Sequence, residues 1–513
     1  MKMKLSKIAL AVAAIGVTPA AFALTPAQIA AGPTTYVWLS GNSAPSNGVF
    51  RSVMSLCNGL AGNAGTNDAH MYLESAGLEP GKSSGDRVAY ACTMSSAAGS
   101  LAGKKVVVYH TVENGSFNAY APHLSMAGEP NPNGYLQGNL KRVNDLAGQG
   151  TGGKCAAGTA ATTSVTLNGV AYNIGRYNNC DLVTKNFSPS VKGDAAGQPG
   201  QSYPDGGFSD TEYLLNKQNL EIGTALSAIG SEVATNIGQA FGVAVSYPLY
   251  FRLQQNDVNP PAGTPFAGHP LLPSSCTTGF SAASPNLAAA CQPNLAAQRY
   301  TATAAVASIG GVDGSTFGGP GGSVVNLVRR VPTSGTQSAS NARFLAKPCA
   351  TGLSQGALEP ARATDSTGTV IVTEQSSTGG VKTALNAASV AGQFGLGVVS
   401  MENTPGGAAA NDRWAFVKLN RVSPDQFPDS ILDPQQRVQA LDGTYDFWYE
   451  MVAFTAGGAK SPASAAGAAL IAAVTTSLGN HDLKGIFATP LAGTSGPTSL
   501  GARFGNSCQP AFQ

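Results

Sequence analysis

The pattern that most restricts the fold of this chain is a buried strand, a short turn of small polar residues and a helix start, repeated along its length. Its clearest copy runs Ser323-Val324-Val325-Asn326-Leu327-Val328-Arg329-Arg330-Val331-Pro332 and continues through Thr333-Ser334-Gly335-Thr336. An apolar run with β-branched residues predicts a buried strand. Pro332 marks the turn, and Gln337 to Leu345 predicts a helix. The first N–H groups of a helix lack partners within it, and the helix dipole adds partial positive charge there. Such a turn suits an anion, and Arg330 can add a bidentate fork. An ordinary helix cap with both arginines solvated accounts for the same residues.

Other segments repeat the pattern. Tyr36 to Gly41 predicts a short strand, the polar turn Asn42 to Asn47 follows, and Val49 to Leu56 predicts a helix. Lys104 to His110 is the clearest early strand. It leads through Ser116, which suits an N-cap or a hydroxyl offered to a ligand, into a helix-like Phe117 to Met126. Gly206-Gly207-Phe208-Ser209-Asp210 stands at another helix start, where Asp210 is a cap or a hydrogen-bond acceptor. Leu214 to Ile237 recur at mixed helical spacings. Phe241 to Tyr250 predicts a strand bent or ended by Pro248, Val370 to Thr373 another, and Phe394 to Ser400 a third. Ser376 to Gly380 is a small polar turn before a helix-like Val381 to Ala387, and Ala463 to Ser477 is a final helix. Residues 127–201, rich in Gly, Asn and Ala, read as a loop-dominated insertion with a hairpin around Ser164–Ile174. The sum is α/β, with ligands expected at the C-terminal ends of strands.

Lys2, Lys4 and Lys7, the apolar run Ile8 to Val17 and Ala21-Phe22-Ala23 form the pattern of a cleavable signal peptide over residues 1–23. The expected destination is the periplasm or the medium. Without those lysines 27 Lys+Arg stand against 28 Asp+Glu, a balance that gives no basic footprint for nucleic acid. Only 11% of residues are charged, which favours long surface loops of small polar residues over charge-driven disorder. Eight cysteines, an even number with no CxxC pair, suggest disulfides. On the order of a hundred connectivities are open, of which pairing of sequence neighbours is the simplest.

Several enzyme signatures fail on context. Gly81-Lys82-Ser83 resembles a phosphate loop, but Ala76 stands where its first glycine belongs. Gly81 to Gly85 and Gly352 to Gly356 fit the GxSxG string, yet neither follows a clear strand, as a nucleophile elbow must. The five histidines are scattered, so no metal and no cofactor is expected. The chain reads as a non-enzyme.

Taken together, Val325 to Arg330, Thr333-Ser334-Gly335-Thr336 and Phe344-Leu345-Ala346-Lys347 resemble the "VVRRxDGSGT…YLAK" segment of periplasmic phosphate-binding proteins, the substrate-binding components of phosphate ABC importers. Lys105–Ser116 looks like the strand leading to that family's "GIGSGGG" turn, and Phe208-Ser209-Asp210 like its "FGASDAPL". Gly379 to Val399 is similar to its "DGVAAFV…GAIGYVEYAY". The resemblance implies a two-lobed type II periplasmic-binding-protein-like fold with a ligand cleft between the lobes. Residues 24–241 and 400–513 would form lobe 1, with the insertion at about 127–201, and residues 242–399 would form lobe 2. It implies binding of inorganic phosphate or a similar oxyanion for uptake or sensing, and an ABC importer as a partner. The implied ligand set is Arg330, Ser334, Gly335 and Thr336 from one lobe, with Ser116 and the acceptor Asp210 from the other. The first-turn hydroxyl would fall on Ser43 or Ser46, or be absent. An alternative keeps the fold but assigns it to adhesion or assembly in a secreted or surface-displayed protein that binds no phosphate.

Overall fold

The computed structural model describes residues 24–41, 46–75, 87–113, 115–146, 155–190, 202–264, 266–306, 311–349, 358–403, 405, 412–424, 438–478, 486–489, 498–503 and 506–509, with the side chains of 156–161 and 438 excepted. The signal-peptide segment, both GxSxG strings and Ser43 lie outside the described residues. The fold is α/β and built on one large mixed sheet. Twelve strands follow one path among the described residues. In chain order they are β1 (Thr34–Gly41), β2 (His70–Leu73), β3 (Arg87–Thr93), β4 (Lys105–Thr111), β5 (Cys155–Leu167) and β6 (Val170–Cys180). Then come β7 (Gly206–Ser209), β8 (Gly230–Ser246), β9 (Val325–Arg330), β10 (Val370–Gln375), β11 (Phe394–Ser400) and β12 (Trp448–Gly458). Their spatial order is β10-β9-β11-β8-β12-β7-β1-β4-β3-β2-β6-β5.

Three groups of strands run parallel inside this mixed sheet, one of them the pair β2 and β6. β1 pairs in parallel with β4 and β7, and β9 pairs in parallel with β10 and β11. The long strand β8 joins these last two groups. Its first part, Gly230 to Ala240, pairs antiparallel with β12; its second, Phe241 to Val245, pairs antiparallel with β11. The burial of β8 changes along the same line. Residues 230–234 are half-buried or exposed in alternation, whereas 237–246 are all buried, as a strand covered on both faces must be.

One large apolar cluster gathers Phe241, Val245, Val325, Val328, Leu385, Leu396 and Trp414 around β8 to β11. A second gathers Val37, Leu39, Val106, Val108, Phe208 and Leu470 around β1, β4 and β7. On the opposite face of β1, Trp38 and Tyr109 hold the guanidinium of Arg142, which lies 4.2 Å from the Tyr109 ring centre and 5.6 Å from that of Trp38. Asp145 pairs with it at 2.8 Å, so this fully buried charge is neutralised as burial requires. Asp205 staples distant parts of the chain. Its carboxylate accepts the Trp38 N–H at 3.0 Å and both the N–H and the hydroxyl of Ser464 at 2.8 Å, where Ser464 caps the helix Ala465–Ser477.

The structure departs from two expectations. In the 214–237 region the α-helix Tyr213–Leu220 and a single 3-10 turn at Leu226–Ala228 are the helical parts, and the chain from Gly230 is β8. Gly230 to Ala234 and Gly238 to Ala240 pair with β12 across an irregularity at 235–237, and this pairing decides the outcome over helical spacing. The 127–201 region holds strands rather than mainly loops. β5 and β6 form a hairpin closed by Asn168-Gly169, both at positive φ, and Asn139–Val143 pairs antiparallel with Leu182–Asn186. An Asn-Gly two-residue turn matches the right-handed twist of the strands it joins.

Four disulfides join sequence neighbours: Cys57–Cys92, Cys155–Cys180, Cys276–Cys291 and Cys349–Cys508. They fit an exported protein. Among the described residues no helix is long and apolar enough to cross a membrane.

Gly207 is the tightest point of the central sheet. A Cβ there would stand 1.8 Å from the carbonyl oxygen of Ser40, and β7 is held between β1 and β12 on both sides. Gly207→Ala should therefore lower stability by about 3 kcal/mol, the upper range for overpacking a rigid core, as read by thermal or denaturant unfolding.

Candidate functional site

Five turns converge at the C-terminal ends of parallel strands. β1 ends at Gly41, β4 leads to the 3-10 turn Ser116–Ala119, and β7 ends one residue before Asp210. β9 ends at Arg330 itself, just before the helix α1 (Gly335–Leu345), and β10 ends before the helix α2 (Thr378–Val390). Strand ends of this kind are where open α/β sheets leave room for ligands.

The turns touch closely, backbone to backbone between the Ser116 turn and Thr333–Ser334 and backbone to side chain at Asp210. The Phe117 N–H donates to the Thr333 carbonyl at 3.0 Å. Gly115, at φ +94°, lies so close to the neighbouring turn that a Cβ would meet Ser334 Cα at 2.8 Å. At Gly335 a Cβ would stand 2.7 Å from both Cβ and Oδ2 of Asp210. Glycine at both positions is what lets the Ser116 turn, the Asp210 turn and the start of α1 meet.

The meeting point is polar and sealed. Ser116, Asp210 and Ser334 have no exposed surface, and Thr336 and Arg330 have 1% each. The hydroxyl oxygens of Ser116, Ser334 and Thr336 and both carboxylate oxygens of Asp210 are buried without a hydrogen-bond partner. Ser334 is the N-cap residue of α1, yet its side chain makes no capping bond. Native proteins pair nearly all such atoms, so a cluster of five needs an explanation.

Arg330 is oriented by the turn that follows β10. Its Nε donates to the Gln375 carbonyl at 3.2 Å, Nη1 to the Thr378 hydroxyl at 3.0 Å and Nη2 to the Ser376 carbonyl at 2.9 Å. Its backbone N–H donates to Gln337 Oε1 at 3.0 Å. Arg329 points elsewhere: it donates to the Ala361 carbonyl and stands 3.6 Å from Glu374. Strand alternation thus divides the two arginines between the site and a structural ion pair.

Burial pushes the Asp210 carboxyl up from its usual 3.8 to about 6. The nearby Ser116 hydroxyl and the Arg330 charge pull the other way and do not cancel this. Ser116 acts by proximity, since it makes no hydrogen bond of normal geometry to the carboxylate.

The structure thus brings together Arg330, Ser334, Gly335, Thr336, Ser116 and Asp210. Ser46 is buried at the start of the helix Ser46–Ser55. Sequence reasoning noted Ser376 to Gly380 only as a turn, and missed that its Ser376 and Thr378 hold the arginine. It also missed Asn216, fully buried, whose amide donates to Thr211 and Glu212 oxygens while its carbonyl oxygen accepts the Ser338 hydroxyl at 3.0 Å. A cavity of about 450 Å³ lies elsewhere, lined by Arg343, Asp446, Trp448 and Arg503 among others. Its guanidinium groups are already engaged by Asp446 and by backbone carbonyls, so the sealed cluster is the better ligand candidate.

No protein-family model matches the chain, and no curated protein matches it significantly.

The Asp210 shift has a stability consequence. The folded protein holds this proton more tightly than the unfolded chain. Stability from this group is therefore greatest below pH 4, falls as pH rises towards about 6 and is flat above. Asp210→Asn should stabilise the ligand-free protein at pH 8 by roughly 3 kcal/mol, with the gain vanishing near pH 4. Unfolding midpoints of both proteins across pH 4–8 check this.

Proposed function

We propose that this is an exported solute-binding protein that closes two lobes around phosphate or a related oxyanion. The observation that carries the reading is the set of five unpartnered buried polar atoms beside Arg330 at the start of α1. The two-lobed type II fold is part of the proposal, with residues 24–241 and 400–513 in one lobe and 242–399 in the other. The change of partner along β8, from β12 to β11 between Ala240 and Phe241, supports a division at that point.

The chemistry follows from the donor and acceptor inventory. Hydroxyls of Ser116, Ser334 and Thr336 and the free N–H groups of the first turn of α1 would donate to oxyanion oxygens. Arg330 supplies positive charge from a fixed position. Asp210, when ionised, can only accept, so it favours an oxyanion that carries its own proton and repels one that carries none. The role is binding for uptake or sensing, with no chemical step and, where an ABC importer is present, delivery to it.

Calorimetry with inorganic phosphate tests the reading. Binding should be measurable in the wild type and weaker by about ten- to a hundredfold in Thr336→Val, the loss of one hydrogen bond to a charged group. No heat and an unchanged melting temperature at millimolar phosphate would overturn it and favour the adhesion or assembly role. Sulfate offers a second check. Once Asp210 is protonated it can donate, so sulfate should compete at pH 5 at least tenfold better than at pH 8, and this pH dependence should disappear in Asp210→Asn.

A further inference from the structure

The Cys349–Cys508 disulfide differs from the other three in both span and exposure. It closes 159 residues of chain, against 35, 25 and 15 for the others. The six cysteines of the other bridges are buried, whereas Cys349 is half-buried and Cys508 exposed. Its two ends are anchored on different sides of the candidate site. Cys349 follows α1, the helix whose first turn carries Ser334, Gly335 and Thr336. Cys508 follows Ser507, whose N–H donates to Glu212 Oε1 at 2.9 Å and whose hydroxyl bonds the other oxygen of the same carboxylate. Glu212 stands two residues beyond Asp210 and is the N-cap residue of the helix Tyr213–Leu220.

We propose that the C-terminal segment and its Cys349–Cys508 bridge form a strap that ties the Asp210 side of the site to the α1 side and limits their separation. This rests on the reading above, in which the two sides part and close around an oxyanion. α1 is 11 residues long, so the strap holds its far end roughly 16 Å from the site. Opening then becomes a swing about that end rather than a free parting of the two sides. The only other polar bonds between the helix Tyr213–Leu220 and α1 among those described are Ser338 to Asn216 at 3.0 Å and Asn341 to Asn219 at 3.4 Å. These neutral bonds can break on opening, while the covalent bridge cannot.

Exposure also makes the strap the bridge that a dithiol reaches first. One thiolate of the dithiol attacks the sulfur of the exposed residue Cys508, forms a mixed disulfide and releases Cys349 as a thiolate. The second thiolate of the reductant then expels Cys508. Two electrons pass to the protein, the reductant becomes a cyclic disulfide, and the two protein thiolates regain protons from solvent.

Hydrogen exchange on the full, ligand-free protein tests the strap without requiring any ligand. Two forms lacking the bridge are compared with the oxidised wild type. One is the double variant Cys349→Ser, Cys508→Ser, and the other is wild type treated with limiting dithiothreitol, its other bridges confirmed intact by alkylation and mass spectrometry. Amides of 115–118 and 334–338, remote from the bridge, should exchange at least tenfold faster once it is broken. Acceleration confined to residues 498–509, or none, overturns the proposal. If the variant fails to fold, the reduced wild type decides. Inorganic phosphate titrated into the same samples reports separately on the oxyanion reading. Where it binds, its dissociation should quicken about tenfold without the bridge. Where it binds neither form, the binding reading fails, and the ligand-free exchange still decides the strap.

Discussion

The site depends on two approaches so close that only glycine fits, one against backbone and one against the Asp210 side chain. Gly115 against Ser334 and Gly335 against Asp210 are approaches that any Cβ would block. Because these gaps are closed, the hydroxyls of Ser116, Ser334 and Thr336 and the carboxylate of Asp210 share one sealed space. The Phe117 to Thr333 backbone bond fixes the register of that contact. A carboxylate held beside the first turn of a helix also lies in the favourable field of its dipole. Burial nevertheless dominates, and Asp210 holds its proton more tightly than a solvated aspartate.

A cluster of unpaired buried polar atoms is costly, each such group by about 1–3 kcal/mol. It persists because the surrounding framework is over-determined. Strands β1, β4 and β7 place one set of turns, β9 and β10 place the other, and apolar clusters lie beneath both. Arg330 illustrates the division of labour. Three of its donors are spent on the Gln375–Thr378 turn, which fixes the direction of the guanidinium before any ligand arrives. A pre-set group loses less entropy on binding than a free one, so such a site can be tight with few contacts.

Much of this was legible in the residues. The apolar β-branched run ending in Arg329-Arg330, then Ser334-Gly335-Thr336, reads directly as strand, turn and helix because each step has a local cause. Sequential pairing of the cysteines was the simplest choice and is the one found. Two kinds of information were not legible. Gly230 to Ile237 carries both helical and alternating spacings, and only the presence of β12 more than two hundred residues later makes it a strand. The role of Asn216 is invisible for a similar reason. A single asparagine in a helix has no local mark, and its meaning comes from Thr211 and Ser338 meeting around it. Likewise nothing near Arg330 in sequence says that Thr378 will hold it.

The Asp205 staple bears on the order in which the molecule can assemble. One carboxylate joins the backbone of Trp38, in the first strand of the sheet, to the cap of the helix that begins at Ala465. Between them β7 is flanked by β1 on one side and by β12, residues 448–458, on the other. The first strand therefore cannot reach its final surroundings until nearly the whole chain has been made. A growing chain of this kind completes the sheet around its first strand only late.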